Sequence, residues 1–489
     1  MSAELAHRTE AELTPDRSRT LARLFLPGEE LPRGRSRAGA VVARILALPE
    51  AEVESMAEGL LADFGNRHRD FPELLQANAA MVSAHVPDEQ VLSPARSLVL
   101  GASFTAEYAV EGAALCNPSA VLAPDQSGLQ PGQARLAVSL RAIGEGHLSS
   151  IGFCTAVVGP GPSWLFEDRV VPSVAGTSTP AHWRREHLRA VLRDQGTIDE
   201  LAHSVLASLP KSFSGGELQE ALNRAHPDLL ARASARITLD TLRQLVASAY
   251  GVAFPAGLAL SQQVLLPSAA EESNGMEDAR FVRFVAADGT VDYRATYTAY
   301  DGRHIAPRLL TSLDLRTFHA HRLAGPAARN KGMALFPRLV GDRHLALCRS
   351  DGESTSLASS RDGYVWTKPE LVQAPAAAWE VLQVGNCGPP IETDEGWLVL
   401  THGVGPLRTY SIGALLLDLE SPTKVVKRLE RPLLQAAADE RSGYVPNVVY
   451  SCGAVVHDGL LWLPYGIGDV RIGVAWASVQ ELLSAMTPA

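Results

Sequence analysis

A weak internal repeat most restricts how this 489-residue chain can fold. From about residue 100, short apolar strands alternate with Gly-, Pro- and Asp-rich turns, and five units align on an opening tripeptide. The tripeptides are Asn117-Pro118-Ser119, Glu277-Asp278-Ala279, Leu335-Phe336-Pro337, Gly388-Pro389-Pro390 and Pro446-Asn447-Val448. The last four recur at intervals of 52 to 58 residues. This pattern predicts a mainly β fold, a five-bladed β-propeller; on spacing alone, an irregular all-β fold is the alternative.

Two stretches lack the strand pattern. Residues 1–100 carry apolar residues at helical spacing, which predicts a mainly helical N-terminal extension. Residues 101–489 are predicted to form the catalytic propeller domain. The first two repeat units lie 161 residues apart, and the extra length coincides with a predicted helical insertion at about residues 182–250.

Composition excludes several classes of protein. The chain has 54 acidic and 44 Lys or Arg residues, a net charge of −10, which argues against a nucleic-acid partner. Its five cysteines are widely spaced and form no C-x-x-C pair, as expected for free thiols in a reducing cytoplasm. No apolar run is long enough to predict a membrane partner. We therefore expect a cytoplasmic protein.

The inner strands of a propeller run along one axis, so polar residues at their ends are expected to meet in one pocket. Motifs for a nucleotide-binding P-loop, a zinc protease or a serine hydrolase are absent from the sequence. The pocket is instead predicted to combine carboxylates, cations and phenols, with Asp301 at its floor.

Several stretches, taken in order, are distinctive. They include SLRAIGEGHLSSIGF (139–153), MEDAR (276–280), TYTAYDGR (296–303), NKGMALFPR (330–338), CGPPIETDEGWLVLTHG (387–403), GYVPNVVYSCG (443–453) and LPYGIGDVRIGVA (463–475). Over roughly residues 110–475 the set resembles glycoside hydrolase family 130, the mannoside phosphorylases and related β-mannosidases. The resemblance implies a five-bladed propeller that cleaves β-mannosides with inversion, using inorganic phosphate or water. It implies no metal and no organic cofactor, with phosphate as co-substrate.

The resemblance assigns one catalytic acid, Asp301, which is thought in the family to protonate the leaving oxygen through a sugar hydroxyl. Without the resemblance, a simple hairpin turn is the preferred interpretation of Asp301-Gly302, and the resemblance reverses that preference. Phosphate needs fixed cations and directed donors. The phosphate-binding candidates are Arg141, Lys331, Arg349, His402 and Tyr410. The substrate-binding candidates are Asn117, Ser119, Glu145, His147, Asp278, Arg280, Tyr465 and Asp469.

Three functions follow from this reading. The preferred one is an inverting phosphorylase that acts on an oligosaccharide or mannoside and releases mannose 1-phosphate. The second is an inverting β-mannosidase, because Glu392 would repel phosphate and could serve as the base for water if it faced the pocket. The third is a propeller that binds carbohydrate without turnover. Homo-oligomerisation is left open by the sequence.

Overall fold

The structure is a computed structural model that describes residues 5–28, 30–31 and 35–489. The chain forms two compact units. The larger contains Ala113–Arg169 and Gly176–Ala489 together with the N-terminal residues as far as Pro15, and the smaller contains Asp16–Gly112 and Val170–Ala175. In the described residues, no helix combines the length and the apolar character needed to cross a membrane.

The N-terminal part contains both strands and helices. In chain order they are β1 (His7–Leu13), β2 (Thr20–Leu24), β3 (Glu30–Leu31), β4 (Arg35–Ser36), α1 (Arg37–Leu46), α2 (Glu50–Phe64), α3 (Phe71–Met81), α4 (Pro94–Ser103) and β5 (Thr105–Ala109). Pro49 separates α1 from α2, and Val42, Val53 and Leu100 lie in the apolar core that joins these helices. Of the predicted extension 1–100, residues 1–4, 29 and 32–34 lie outside the described residues. The helical prediction is wrong for His7–Leu13, which is a strand of the larger unit.

The next part of the chain begins with long strands and then becomes helical. Its elements are β6 (Ala114–Leu122), β7 (Ala134–Ile143), β8 (Ser149–Val158), β9 (Trp164–Phe166), β10 (Val174–Ala175), β11 (Thr177–Pro180), β12 (Trp183–Arg184), α5 (Arg185–Asp194), α6 (Glu200–Ser208), β13 (Ser212–Phe213), α7 (Gly215–Asn223), α8 (Pro227–Leu230), α9 (Ala235–Ala247) and β14 (Tyr250–Ala253). Helices α5 to α9 occupy the stretch predicted as an insertion. They enclose their own apolar core around Trp183, Leu206 and Leu242.

The remainder is almost entirely strand. Its elements are β15 (Gln263–Leu265), β16 (Gly275–Val285), β17 (Val291–Tyr300), β18 (Ile305–Ser312), β19 (Thr317–Arg322), β20 (Ala334–Leu335), β21 (His344–Cys348), β22 (Thr355–Ser360), β23 (Glu370–Gln373), β24 (Gln383–Asn386), β25 (Ile391–Thr393), β26 (Gly396–Val404), β27 (Tyr410–Leu417), β28 (Val425–Arg428), β29 (Leu434–Gln435), β30 (Val449–Tyr450), β31 (Val455–His457), β32 (Leu460–Ile467), β33 (Arg471–Ser478), α10 (Val479–Ala485) and β34 (Thr487–Pro488). The fold is therefore mainly β, as the sequence predicts.

Antiparallel pairing groups the strands of the larger unit into successive four-stranded sets, which we call modules 1 to 5. Module 1 is β6-β7-β8-β9, module 2 is β16-β17-β18-β19 and module 3 is β20-β21-β22-β23. Module 4 is β24-β26-β27-β28, and module 5 is β30-β32-β33-β1. The N-terminal strand β1 thus completes the last module, with His7 opposite Trp476 and Leu13 opposite Ile472.

The first strands of the modules contact one another. The backbone N–H of Phe281 in module 2 donates to Ser119 Oγ in module 1 (3.1 Å), and the N–H of Cys452 beside module 5 donates to the carbonyl of Pro118 (2.8 Å). The Arg280 guanidinium of module 2 reaches the carbonyl of Cys387 beside module 4 (3.2 Å). Polar residues on these strands are thereby concentrated in one region. All five cysteines are free and buried, as predicted.

Three buried glutamates make the same backbone contact in three places outside this region and stabilise the modules. The repeat was not predicted from the sequence. Glu272, Glu380 and Glu440 each accept the backbone N–H of the alanine three residues earlier, at 3.0, 3.1 and 2.8 Å. Two of them also bind a phenol from the second strand of their module: Tyr297 donates to Glu272 and Tyr465 to Glu440, both at 2.6 Å. The prediction that Tyr465 binds substrate is therefore wrong, because it is 1% exposed and its hydroxyl is held by Glu440.

Candidate active site

Matching irregularities in two first strands shape the site. The β6–β7 pairing shifts between Cys116 and Ser119, and the β16–β17 pairing shifts between Glu277 and Arg280. The residues inside the bulges, Asn117 and Asp278, have φ of 51° and 56°. Asn and Asp tolerate this left-handed backbone better than other residues with a side chain. Each bulge redirects the side chains that follow it, which explains why a polar tripeptide opens these units.

The two bulges meet through their side chains. Asn117 Nδ2 donates a hydrogen bond to Asp278 Oδ1, and both residues are buried. Asn117 Oδ1 is also buried but has no hydrogen-bond partner among the described residues. A buried acceptor without a partner is uncommon and indicates a missing donor, such as water or a ligand hydroxyl.

Glu277 holds two cations beside this pair. Its Oε1 lies 2.6 Å from Arg141 Nη2, and its Oε2 accepts from Lys331 Nζ. Arg141 is also held by Ser149 Oγ (3.1 Å) and lies 3.7 Å from Asp278. Glu277 thereby fixes one face of each cation while leaving their other donors available. Glu277 belongs to the second opening tripeptide but was not predicted as a site residue.

Asp278 is ionised despite its burial. Burial alone would raise its pKa, but the charges of Arg141, Arg280 and Lys331 lower it below its usual value. Arg280 is fixed by the Asp278 carbonyl (2.9 Å) and by the Tyr450 hydroxyl (2.8 Å). Burial raises the pKa of Tyr450, so its hydroxyl stays protonated beside Arg280.

Asp469 lies in the turn between β32 and β33, where its φ is 50°. Burial raises its pKa to about 6, with Arg141 opposing that shift and the charges of Asp278 and Glu277 adding to it. The region therefore contains two carboxyl groups with opposite tendencies. Asp278 is held as an anion, while Asp469 gains or loses a proton near neutral pH.

A second group of donors lies on modules 3 and 4. Arg349 Nη1 is 3.2 Å from His402 Nε2, and the His402 ring stacks on Tyr410 with 6.2 Å between centroids. Burial, reinforced by Arg349 and Arg280, lowers the pKa of His402 well below its usual value, so its ring is neutral. Arg349 Nε is buried and without a partner in the described residues. Gly385 makes room for this pair, because a Cβ there would lie 2.5 Å from His402 Cε1.

Tyr450 links this group to the carboxylates. Its ring lies edge-on to His402 at 4.9 Å and to Tyr410 at 6.1 Å, and its hydroxyl binds Arg280. Tyr450 was not predicted as a site residue. The sequence feature that could have identified it is its position three residues after Asn447, in the fifth opening tripeptide.

Asp301 lies at the rim of this region. The prediction that it lies at the floor is therefore wrong. Its Oδ1 accepts the backbone N–H groups of Arg303 (2.8 Å) and His304 (2.5 Å) in the β17–β18 turn. Tyr300 pairs with Gly275, two residues before Glu277, so Asp301 lies at the same end of module 2, roughly 10 Å along the sheet from Glu277. Its side chain is 32% exposed, and the His304 amide, the strongest influence, helps to lower its pKa.

Four other predicted residues lie outside the cluster. Ser119 is fully buried, and its hydroxyl supports the Phe281 backbone, so it cannot bind substrate as predicted. Glu392 lies on β25, opposite Trp397 of β26 and five residues along β26 from His402, and its exposed carboxylate pairs with Arg338, which corrects its prediction as a base in the pocket. Glu145 and His147 lie on an exposed turn, where His147 stacks on Tyr444 at 5.8 Å. Neither makes a hydrogen bond to the cluster among the described residues.

Metal chemistry has no obvious ligand set here. In the described part of the chain, no group of three or more His, Cys, Asp or Glu side chains is arranged to hold a metal ion. The carboxylates of the cluster are matched instead by guanidinium and ammonium groups.

Known proteins resemble the part of the sequence that contains most of these site residues. The family model of glycoside hydrolase family 130, described as beta-1,4-mannooligosaccharide phosphorylase, matches residues 245–487. A 1,2-beta-oligomannan phosphorylase from Thermoanaerobacter sp. (strain X514) is 34% identical over 229 residues, which cover 46% of this chain and 75% of the relative. The chain belongs to glycoside hydrolase family 130. As a member of this family of mannoside phosphorylases, it is an enzyme.

Other relatives within family 130 differ in their named substrate. A beta-1,2-mannobiose phosphorylase from the same Thermoanaerobacter strain is 33% identical, with 43% of this chain and 70% of the relative covered. A beta-1,4-mannooligosaccharide phosphorylase from Ruminococcus albus is 31% identical, with 35% and 55% covered. The solved beta-1,2-mannobiose phosphorylase of Listeria innocua, in complex with beta-1,2-mannobiose, aligns with a TM-score of 0.43 at 20% identity over 77% of this chain and 92% of its own.

Proposed function

We propose that this family 130 enzyme is an inverting phosphorylase that cleaves a β-mannoside with inorganic phosphate and releases α-mannose 1-phosphate. The observation that carries the proposal is that Lys331, Arg349, His402 and Tyr410 lie in one cluster with the carboxylates of Glu277 and Asp278, joined through Tyr450 and Arg280. We also propose that modules 1 to 5 are the blades of a five-bladed propeller whose axis passes through that cluster.

Phosphate recognition follows from the cations. Arg349 offers a planar fork with an unpartnered Nε, while Lys331 offers a point charge already oriented by Glu277. Neutral His402 holds Arg349 through Nε2 and adds no charge of its own. Arg141 lies between these donors and the sugar side, where it can serve either ligand.

Sugar recognition needs acceptors and donors that match neighbouring hydroxyls. Asp278 is an anion with buried, fixed geometry, and Asn117 beside it has an unused buried acceptor. Arg280 and Asp469 complete the set. Because these groups are held by bulges and ion pairs before any ligand arrives, little reorganisation is needed on binding.

The reaction balances without a cofactor. A phosphate oxygen forms a bond to the anomeric carbon while the bond from that carbon to the glycosidic oxygen breaks, and the departing oxygen takes one proton. Asp301 supplies that proton, directly or through a sugar hydroxyl. In the free protein its pKa is lowered, so we infer that a bound oligosaccharide, by excluding water from this carboxyl, raises the pKa toward the range a general acid requires.

Hydrolysis is the competing reaction, and an inverting hydrolase needs a second carboxylate to activate water. Glu392 is exposed and paired with Arg338. Phosphate, already an anionic nucleophile, needs no such base. Phosphorolysis therefore makes fewer demands on the residues present. Five free, buried cysteines suit the reducing cytoplasm that we propose as its location.

The test is an assay of β-1,2- and β-1,4-linked manno-oligosaccharides with and without inorganic phosphate. We expect turnover only with phosphate, and a sugar 1-phosphate as the product. Release of free mannose at the same rate in phosphate-free buffer would overturn phosphorolysis in favour of hydrolysis.

A further inference from the structure

The helical insertion lines part of an open cavity next to Asp301, with Leu245 and Ala270 as its apolar members. The cavity has a volume of about 270 Å³ and is lined by Gln195 and Thr197 after α5, Thr241 and Gln244 on α9, and Glu271 and Asp301. At roughly 30 Å³ per water molecule this space would hold about nine waters, which is enough for one sugar ring. All of these residues belong to the larger unit.

Helical geometry explains why α9 presents polar groups here. Thr241 and Gln244 are three residues apart and therefore share a face of the helix. Leu242, Leu245 and Val246 are buried in the core of the insertion. The side chains of Gln195 and Gln244 are exposed and that of Thr241 is half-buried, and none of the three has a hydrogen-bond partner among the described residues. Their amide and hydroxyl groups are free to bind a ligand in the cavity.

The chemistry of the lining suits a neutral polyol. Amides and hydroxyls both donate and accept, as sugar hydroxyls do. Glu271 is already engaged by Arg322 and lies 3.5 Å from Arg308, so it adds no unpaired charge. A phosphate group would find no free cation among these residues, whereas a sugar would find several donors and acceptors beside the carboxyl of Asp301.

The cavity and the phosphate-binding candidates lie on different modules. An inverting displacement places the nucleophile and the leaving group on opposite faces of the sugar ring. The phosphate-binding candidates Arg349 and His402 lie on modules 3 and 4, whereas the cavity lies beside the β17–β18 turn of module 2 and against α9. We propose that the helical insertion forms the binding site for the leaving-group sugar and thereby selects the acceptor. This inference rests on the proposed function.

Four of the lining residues precede the match to the family model, as do the site residues Asn117 and Arg141 of module 1. The model begins at residue 245, so Gln195, Thr197, Thr241 and Gln244 all precede it, while Asp301 and the phosphate-binding candidates of modules 3 and 4 lie within it. Acceptor selection by the insertion would add a specificity to a common reaction centre.

The experiment compares Gln244→Ala and the double variant T241A/Q244A with the full-length wild type. Gln219→Ala is the matched control, because Gln219 is an exposed glutamine of the same insertion, on α7, that hydrogen-bonds Asn223. Synthesis from α-mannose 1-phosphate is measured with a panel of mannose, glucose and manno-oligosaccharide acceptors. We expect the KM for the acceptor to rise about tenfold in the double variant, with the KM for mannose 1-phosphate within about twofold.

An active double variant with an unchanged acceptor KM and an unchanged ranking of acceptors would overturn the inference. Failure of the proposed phosphorolysis is recognised separately, because the wild type would then release no sugar 1-phosphate. In that case the inference is decided by calorimetric binding of β-1,2-mannobiose and β-1,4-mannobiose. Weaker binding by T241A/Q244A than by Q219A supports the subsite, and equal binding rejects it.

Discussion

Asn117 and Asp278 occupy corresponding bulges in the first strands of two successive modules and are joined by a hydrogen bond between their side chains. Each residue alone is a turn-forming residue in a left-handed conformation. Together they hold a carboxylate and an unused amide oxygen in fixed positions. Unfavourable backbone geometry supported by its surroundings is common at functional sites, and here it orients groups suited to sugar hydroxyls.

The role of Asp301 is tested by Asp301→Asn. The amide oxygen can still accept the N–H groups of Arg303 and His304, so we expect the fold to survive. Loss of the proton donor should lower kcat by about 10²- to 10⁴-fold. Sugar 1-phosphate release and thermal melting are measured together. Asp288→Asn is the control, since Asp288 makes the same kind of turn contact with Thr290; equal losses in both variants would contradict a catalytic role.

Phosphate binding is tested by Arg349→Met. Removal of the guanidinium should raise the KM for phosphate by about 10- to 100-fold, because a charge-assisted hydrogen bond is lost. The KM for the oligosaccharide should change little. Arg349→Lys should give an intermediate value, since an ammonium lacks the planar fork. Arg338→Lys is the control, since Arg338 is partly exposed and pairs with Glu392. A purely structural role for Arg349 would instead shift both KM values and the melting temperature together.

Glu392→Gln separates the surface interpretation from a role in catalysis. Glu392 and Arg338 are 41% and 40% exposed at the side chain, and exposed pairs contribute about 0–1 kcal/mol. We expect kcat and both KM values to match the wild type, with and without phosphate. Loss of a phosphate-independent activity in this variant would restore Glu392 as a base for water.

Asp469→Asn should make the protein more stable at high pH. The pKa of Asp469 is raised by burial from 3.8 to about 6. The folded state therefore binds the proton more tightly than the unfolded chain, and stability falls as pH rises from about 4 to about 6. Two pH units correspond to at most ~3 kcal/mol. Urea unfolding should show the variant gaining stability over the wild type at pH 8 but not at pH 4, with activity lost at both. A constant difference across that range would refute the assignment.

Tyr465→Phe tests the support provided by Glu440. A buried carboxylate would lose one donor, which should lower the free energy of unfolding by about 1–3 kcal/mol. Tyr297→Phe should behave alike, because Tyr297 contacts Glu272 in the same way. Tyr444→Phe is the control, since Tyr444 is 61% exposed. The KM for substrate should be unchanged in the Tyr465 variant; a raised KM with unchanged stability would return Tyr465 to the pocket.

The sequence predicted well those residues whose backbone is constrained. The repeat with its polar opening tripeptides identified Asn117 and Asp278, because a left-handed bulge strongly restricts residue type. Lys331, Arg349 and His402 followed from charge at strand ends together with the family resemblance. Arg349 and His402 contact each other, while Lys331 binds Glu277.

The errors have a different physical origin. Tyr465 was predicted to end a strand but lies within β32 (Leu460–Ile467). The side chains of a strand alternate between its faces, and only the three-dimensional pairing shows which face meets Glu440. Asp301 was predicted at the floor because the sequence indicates its turn but not the position of that turn along the sheet relative to Glu277. In His7–Leu13 the alternation of polar and apolar residues is too weak to distinguish a strand from another polar segment. Its partner β33 lies more than 450 residues later.

That partnership sets the order in which the molecule can be completed during synthesis. Strand β1 leaves the ribosome long before its partner β33, so module 5 cannot form until the residues between them have been made. At about 5–20 residues per second, the delay is roughly 25 to 90 s. During it, Arg8 has no Glu440 to bind. A bulky fusion attached ahead of His7 would therefore be expected to slow maturation more than one placed after α10.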